Sequence, residues 1–68
     1  MNAESTLLAV EIDSAEAKAI DSLCRYKFVM FGYWAGIWVH LNRIEGKKRK
    51  SPFRPFVDLA RDMREHQS

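Results

Sequence analysis

Cys24, His40 and His66 are the side chains of this 68-residue sequence best equipped for chemistry. A thiolate can attack or ligate, and an imidazole can carry a proton or hold a metal. Either use requires company at a defined spacing. Cys24 is the only cysteine, the two histidines lie far apart in sequence, and no Cys/His spacing of the zinc type is present. A nucleophilic relay needs a base beside the nucleophile and a third group to orient that base. No acid or base stands at such a spacing from Cys24 or His40. Ser5, Ser14, Ser22 and Ser51 read as caps or surface positions, and Asp58 and Asp62 share a helix face without a third ligand. The expectation is a protein that is not an enzyme and uses no cofactor and no metal.

A chain this short has room for one domain and buries a small fraction of its surface. Natural chains of this size draw on disulfides, a metal, a partner subunit or very good helix packing. The single cysteine closes no internal disulfide, so helix packing and partner subunits remain. An unpaired thiol suits a reducing compartment, and Glu4 and Glu11 stand where a signal peptide carries basic residues and then a long apolar run. The expected location is cytoplasmic. A formal net charge of +2 is too small to argue for nucleic acid by bulk charge.

The elements follow from pattern. Thr6 to Ile12 is short, apolar and partly β-branched, which predicts an extended or β N-terminal arm over 1–12. Asp13 with Glu16 three residues later forms a capping box, and Gly46 ahead of a basic run forms a stop. Together they predict one long helix over 13–46, continuous through Gly32 and Gly36, because Tyr33, Trp34 and Ala35 between them are poor turn residues. A basic loop follows at 47–51. Ser51-Pro52 opens a second, amphipathic helix over 52–66, its start pushed later by Pro55. There Phe53, Phe56, Val57, Ala60 and Met63 recur at helical spacing opposite Arg54, Asp58, Arg61, Asp62 and Glu65. The predicted fold is mainly α, a single small helical domain.

On a helical wheel, the segment from Ser14 to Glu45 gathers Ala19, Ile20, Leu23, Tyr26, Met30, Phe31, Tyr33, Trp34, Ile37, Trp38, Leu41 and Ile44 into one core arc. The opposite arc is apolar too in its middle, with Phe28, Val29, Gly32, Ala35, Gly36 and Val39. A helix apolar on every side must be buried on every side, and a second helix of about 13 residues, about 20 Å long, covers part of one face. Gly32 and Gly36, four apart, form a flat groove where another helix can approach closely. Three occupants compete for it: the chain's own second helix or arm, a second copy, and a foreign partner or membrane. The prediction is a homodimer through the long helix, acting as a protein-binding regulator or inhibitor of the kind virus- and plasmid-borne genes often encode. Its expected contact residues are Phe28, Gly32, Tyr33, Gly36, Trp38 and Val39.

Two other partners enter as alternatives. Lys47, Lys48, Arg49, Lys50 and Arg54 crowd five cations into a short stretch able to neutralise phosphates, which makes a nucleic-acid-binding dimer the first alternative. Over Thr6 to Leu23, the order of strand, Asp13 cap and helix resembles the ribbon-helix-helix DNA-binding family, with Leu8 and Val10 at matching positions. The resemblance implies a dimer. It carries no DNA contacts, since Leu7, Ala9 and Glu11 stand where that family's strand presents polar or basic groups to bases. The second alternative is a short membrane-anchored protein. The uncharged run from Phe28 to Leu41 is about 14 residues, against about 20 for a span.

Overall fold

The computed structural model describes residues 3–67, with side chains from 7 to 66. Three helices follow one another: α1 over Ala3–Cys24, α2 over Phe28–Ile44 and α3 over Arg54–Gln67. There is no strand among the described residues.

The first helix corrects the sequence reading at both ends. Thr6 to Ile12, expected as an arm, lies inside α1, and Asp13 and Glu16, expected as a capping box, sit in its middle. Ala3, Glu4, Leu7, Leu8, Ala9 and Glu11 are good helix formers, and a lone strand would have left its ladder groups unpaired. Without that strand, the likeness to the ribbon-helix-helix family has no structural counterpart.

The long helix expected over 13–46 is two helices joined by the three-residue turn Arg25–Lys27. Two bonds close the end of α1: the Lys27 amide donates to Ser22 O at 2.8 Å, and the Tyr26 amide donates to Leu23 O at 3.1 Å. This is the Schellman arrangement, which places one residue in the left-handed region, usually glycine. Here that residue is Tyr26, at φ 59°. The end of α2 repeats the pattern with Lys47 to Asn42 O at 2.7 Å and Gly46 to Arg43 O at 3.1 Å, Gly46 having φ 98°. The helix runs unbroken through Gly32 and Gly36, as the sequence reading expected.

The turn sets α1 and α2 side by side as an antiparallel hairpin. Leu8, Ile12, Ala15, Ala19 and Ser22 recur every four or three residues along α1, and Phe31, Trp34, Ala35, Trp38, Leu41 and Asn42 do so along α2. Small residues on α1 leave space for the large rings of α2. Ile12, Ala15, Ala19, Trp38 and Phe53 are the buried apolar core, with Leu8, Phe31, Trp34, Ala35, Ile37 and Leu41 packed around it. Lys18 Nζ lies 4.4 Å from the centre of the Trp34 ring, closing the edge of the seam. The turn also re-phases the chain, so Tyr26, Met30, Tyr33 and Ile44, expected in the core, are exposed, as is Ile20 on α1.

The segment after Gly46 folds back along the hairpin. Arg49 binds Asp13 of α1 and, at 3.4 Å, Glu45. The Asp13 hydrogen bond is the main cause of its raised pKa, ahead of the opposing cost of burial and the attraction of both carboxylates. The Ser51 hydroxyl accepts the Phe53 amide at 3.2 Å, as the cap-then-proline order anticipated, and α3 begins at Arg54. Phe53 joins the core edge-on to Phe31 at 5.6 Å and Trp38 at 5.7 Å, and Phe56 meets Phe31 at 6.2 Å. No Cα of α3 comes within 8 Å of α1 or α2 among the described residues. The last helix is held by rings and not by backbone packing.

Candidate protein interface

The residues that bury α2 lie on one side of it, which fixes what the other side presents. Phe28, Val29, Gly32, Gly36 and Val39 fall on the outward face, with Tyr33 at its border, and all are exposed, Val29 to 86%. Five of the six expected contact residues are therefore open to solvent: Phe28, Gly32, Tyr33, Gly36 and Val39. The sixth is corrected: Trp38 is 1% exposed and belongs to the core, because the hairpin turns that edge of α2 toward α1. Its indole Nε1 is buried with no hydrogen-bond partner among the described residues.

The glycines settle which of this chain's own elements uses the notch. Among the described residues, a Cβ built at Gly32 or Gly36 meets no atom within 4 Å beyond its own stretch of helix. Neither α1 nor α3 fills it. Each glycine costs a helix about 1 kcal/mol relative to alanine, and nothing within the described chain offsets that cost.

Beside the notch, α3 diverges from α2 and leaves an open apolar groove of about 420 Å³. Phe31, Ala35, Gly36 and Val39 form the α2 wall; Phe53, Phe56, Val57 and Ala60 form the other, and Ser51 closes one end. Sequence reasoning did not assign the α3 wall to the site, although the spacing of Phe56, Val57 and Ala60 was visible. What it lacked was the angle of α3, which leaves these side chains uncovered. Leu59 and Met63 continue the exposed apolar surface along α3, and Leu7 and Val10 form another patch on α1.

The five cations proposed for phosphate contact part company. Lys47, Lys48 and Lys50 are exposed and form no ion pair among the described residues. Arg49 is turned onto Asp13 and Glu45, and Arg54 pairs with Asp58 at 3.2 Å. Cys24 is exposed in the last turn of α1 and His40 is exposed on α2. Among the described residues no group of three or more His, Cys, Asp or Glu is placed to hold a metal ion. Among the described residues no helix is long and apolar enough to cross a membrane; α2, at 17 residues, is about 25 Å long against a hydrocarbon core of about 30 Å.

Comparison with known protein families, with curated proteins and with solved structures finds no match to this chain.

Proposed function

We propose that this protein is a non-catalytic binding module that acts as a regulator or inhibitor by occupying the surface of another protein, using the outward face of α2 and the α2–α3 groove. The carrying observation is excess surface. The chain exposes 5541 Å², whereas a compact chain of 7.9 kDa exposes about 4,400 Å². The difference, about 1,100 Å², is spread over the whole chain, and the α2 face contributes to it through Phe28 at 60%, Val29 at 86% and Val39 at 39% exposure. The radius of gyration agrees: 13.9 Å against about 11 Å for a compact chain of this length. The uncovered surface is rich in aromatic and aliphatic groups, the composition of an interface core.

A second reading, pairing of two copies through α2, is favoured by Gly32 and Gly36, since two identical helices can seat their backbones in each other's notches. The two readings separate by mass and by substitution. Light scattering on the wild-type chain and on Gly32→Leu and Gly36→Leu variants is the experiment. Under the main reading the wild type stays single-copy and both variants stay folded. A doubled mass that both substitutions abolish transfers the site to self-pairing. A single-copy wild type whose α2 face is shielded from solvent labels removes the reason for any partner.

A further inference from the structure

Charge is sorted along this fold. The first helix carries Glu4, Glu11, Asp13, Glu16 and Asp21 against Lys18 alone, whereas the stretch from Arg25 to Phe53 carries seven cations against Glu45 alone. α3 is balanced. Within the cationic stretch Arg25 is held by Asp21 and Arg49 by Asp13 and Glu45. Lys27, Arg43, Lys47, Lys48 and Lys50 are exposed and form no ion pair among the described residues.

Their placement brackets the apolar face. Lys27 immediately precedes Phe28 at one end of α2, and Arg43 lies one turn beyond Val39 at the other, about 24 Å away along the axis. Lys50 adjoins Ser51, which closes the groove. No carboxylate occurs anywhere in α2. A ligand lying along α2 therefore meets an apolar groove with Gly36 in its α2 wall, and runs between an unneutralised cation just before the helix and another in its last turn.

We infer that the groove between α2 and α3 receives an acidic amphipathic helix from another protein, its apolar stripe against Gly36, Val39, Phe56 and Val57 and its carboxylates toward Lys27 and Arg43. This rests on reading the α2 face as a protein-binding surface. Helices dock in such grooves through apolar residues at helical spacing, and rim charges select the partner and speed its approach. A second copy of this chain fits less well. Pairing α2 with α2, parallel or antiparallel, sets cations against cations at both ends, and the acidic α1 of a second copy has its apolar stripe, Ile12, Ala15 and Ala19, already buried against its own α2. A bilayer offers no ridge to enter a concave trough, and duplex phosphates do not fill an apolar one.

The test is selection from a displayed library of peptides of about 18 residues, long enough to span α2. Leucine or isoleucine is fixed at the positions of one helical stripe, and Glu, Lys and Gln are equally allowed elsewhere. The bait is the full chain, immobilised. Glu is expected to exceed Lys near both peptide ends by about fivefold or more, the effect of a few solvated ion pairs. The double variant Lys27→Glu, Arg43→Glu is expected to reverse that preference, and Gly36→Leu, checked for helicity by circular dichroism, to abolish recovery. Recovery blind to charge, yet lost in Gly36→Leu, overturns the acidic partner and leaves the binding face standing. Recovery that Gly36→Leu does not touch, or no recovery at all, overturns both. Co-sedimentation with phosphatidylserine vesicles, or self-association that selected peptides fail to displace, also overturns the inference.

Discussion

The side chain of Asn42 grips the backbone of Arg49 from both sides: Nδ2 donates to the Arg49 carbonyl at 3.0 Å, and the Arg49 amide donates to Oδ1 at 3.2 Å. A side-chain amide thereby mimics a strand pairing across seven residues. It turns the chain leaving α2 back toward the hairpin, which brings Arg49 to Asp13 and Phe53 to the core. Asn42 is itself buried, so removing it leaves two backbone groups without partners. Asn42→Ala is expected to cost about 1–3 kcal/mol, read by urea unfolding, with faster hydrogen exchange at the Arg49 amide as the local signature.

At the hairpin turn, Tyr26 occupies a left-handed conformation that costs a non-glycine residue about 1–2 kcal/mol. Glycine relieves that strain while adding some freedom to the unfolded chain and giving up the edge contact with Phe28 at 5.9 Å. Tyr26→Gly is expected to raise stability by a few tenths to about 1 kcal/mol, and Tyr26→Val to lower it. Thermal unfolding of the two variants checks the sign.

Trp38 is the largest fully buried side chain. Trp38→Ala is expected to cost about 3–5 kcal/mol, enough to unfold a domain of this size. Trp38→Phe keeps most of the ring volume and removes the unpartnered indole N–H, so its cost is expected to stay below about 1.5 kcal/mol. A large loss in Trp38→Phe, measured by denaturant midpoint, would show that the indole nitrogen has a partner in solution.

The basic loop divides by role. Replacing Lys47, Lys48 and Lys50 with glutamine is expected to leave unfolding within about 0.5 kcal/mol of wild type, because these side chains form no internal ion pair. Retention on heparin should fall in step. Arg49→Gln is expected to weaken the fold by up to about 1 kcal/mol, the Asp13 carboxylate it pairs with being 70% exposed, while changing heparin retention by less than the triple substitution. A triple variant that unfolds early would give the loop lysines a structural role.

Gly32→Ala and Gly36→Ala are each expected to stabilise the isolated chain by about 0.5–1 kcal/mol, since the added methyl meets nothing within 4 Å. Thermal melts of the two variants test this directly. Destabilisation at either site would mean that another part of the molecule occupies the notch in solution.

Much of this architecture was readable from residue types. Gly46 and Ser51 announced the end of α2 and the approach to α3, and the stripe from Phe53 to Met63 announced an amphipathic helix. The hairpin was not readable, although it ends α1 with the same pair of backbone bonds that ends α2. The difference is that Gly46 advertises its left-handed conformation and Tyr26 conceals it. The error at Asp13 had another origin. Its carboxylate fits a helix start in local sequence, but its partner is Arg49, 36 residues away, a distance no local pattern encodes. The outward apolar face of α2 was legible as composition, whereas the burial of Trp38 required knowing which side α1 covers.

Phe53 is a single joint between the hairpin and α3. Phe53 and Phe56 are the rings through which this end of the chain meets the hairpin, and no Cα of α3 lies within 8 Å of α1 or α2 among the described residues, so α3 is expected to open from the hairpin at a lower cost than α1 and α2 part from each other. Slow deuterium uptake at Trp38 and Leu41 alongside fast uptake from Val57 to Met63, with only the latter slowed by an occupant, is the behaviour this joint produces.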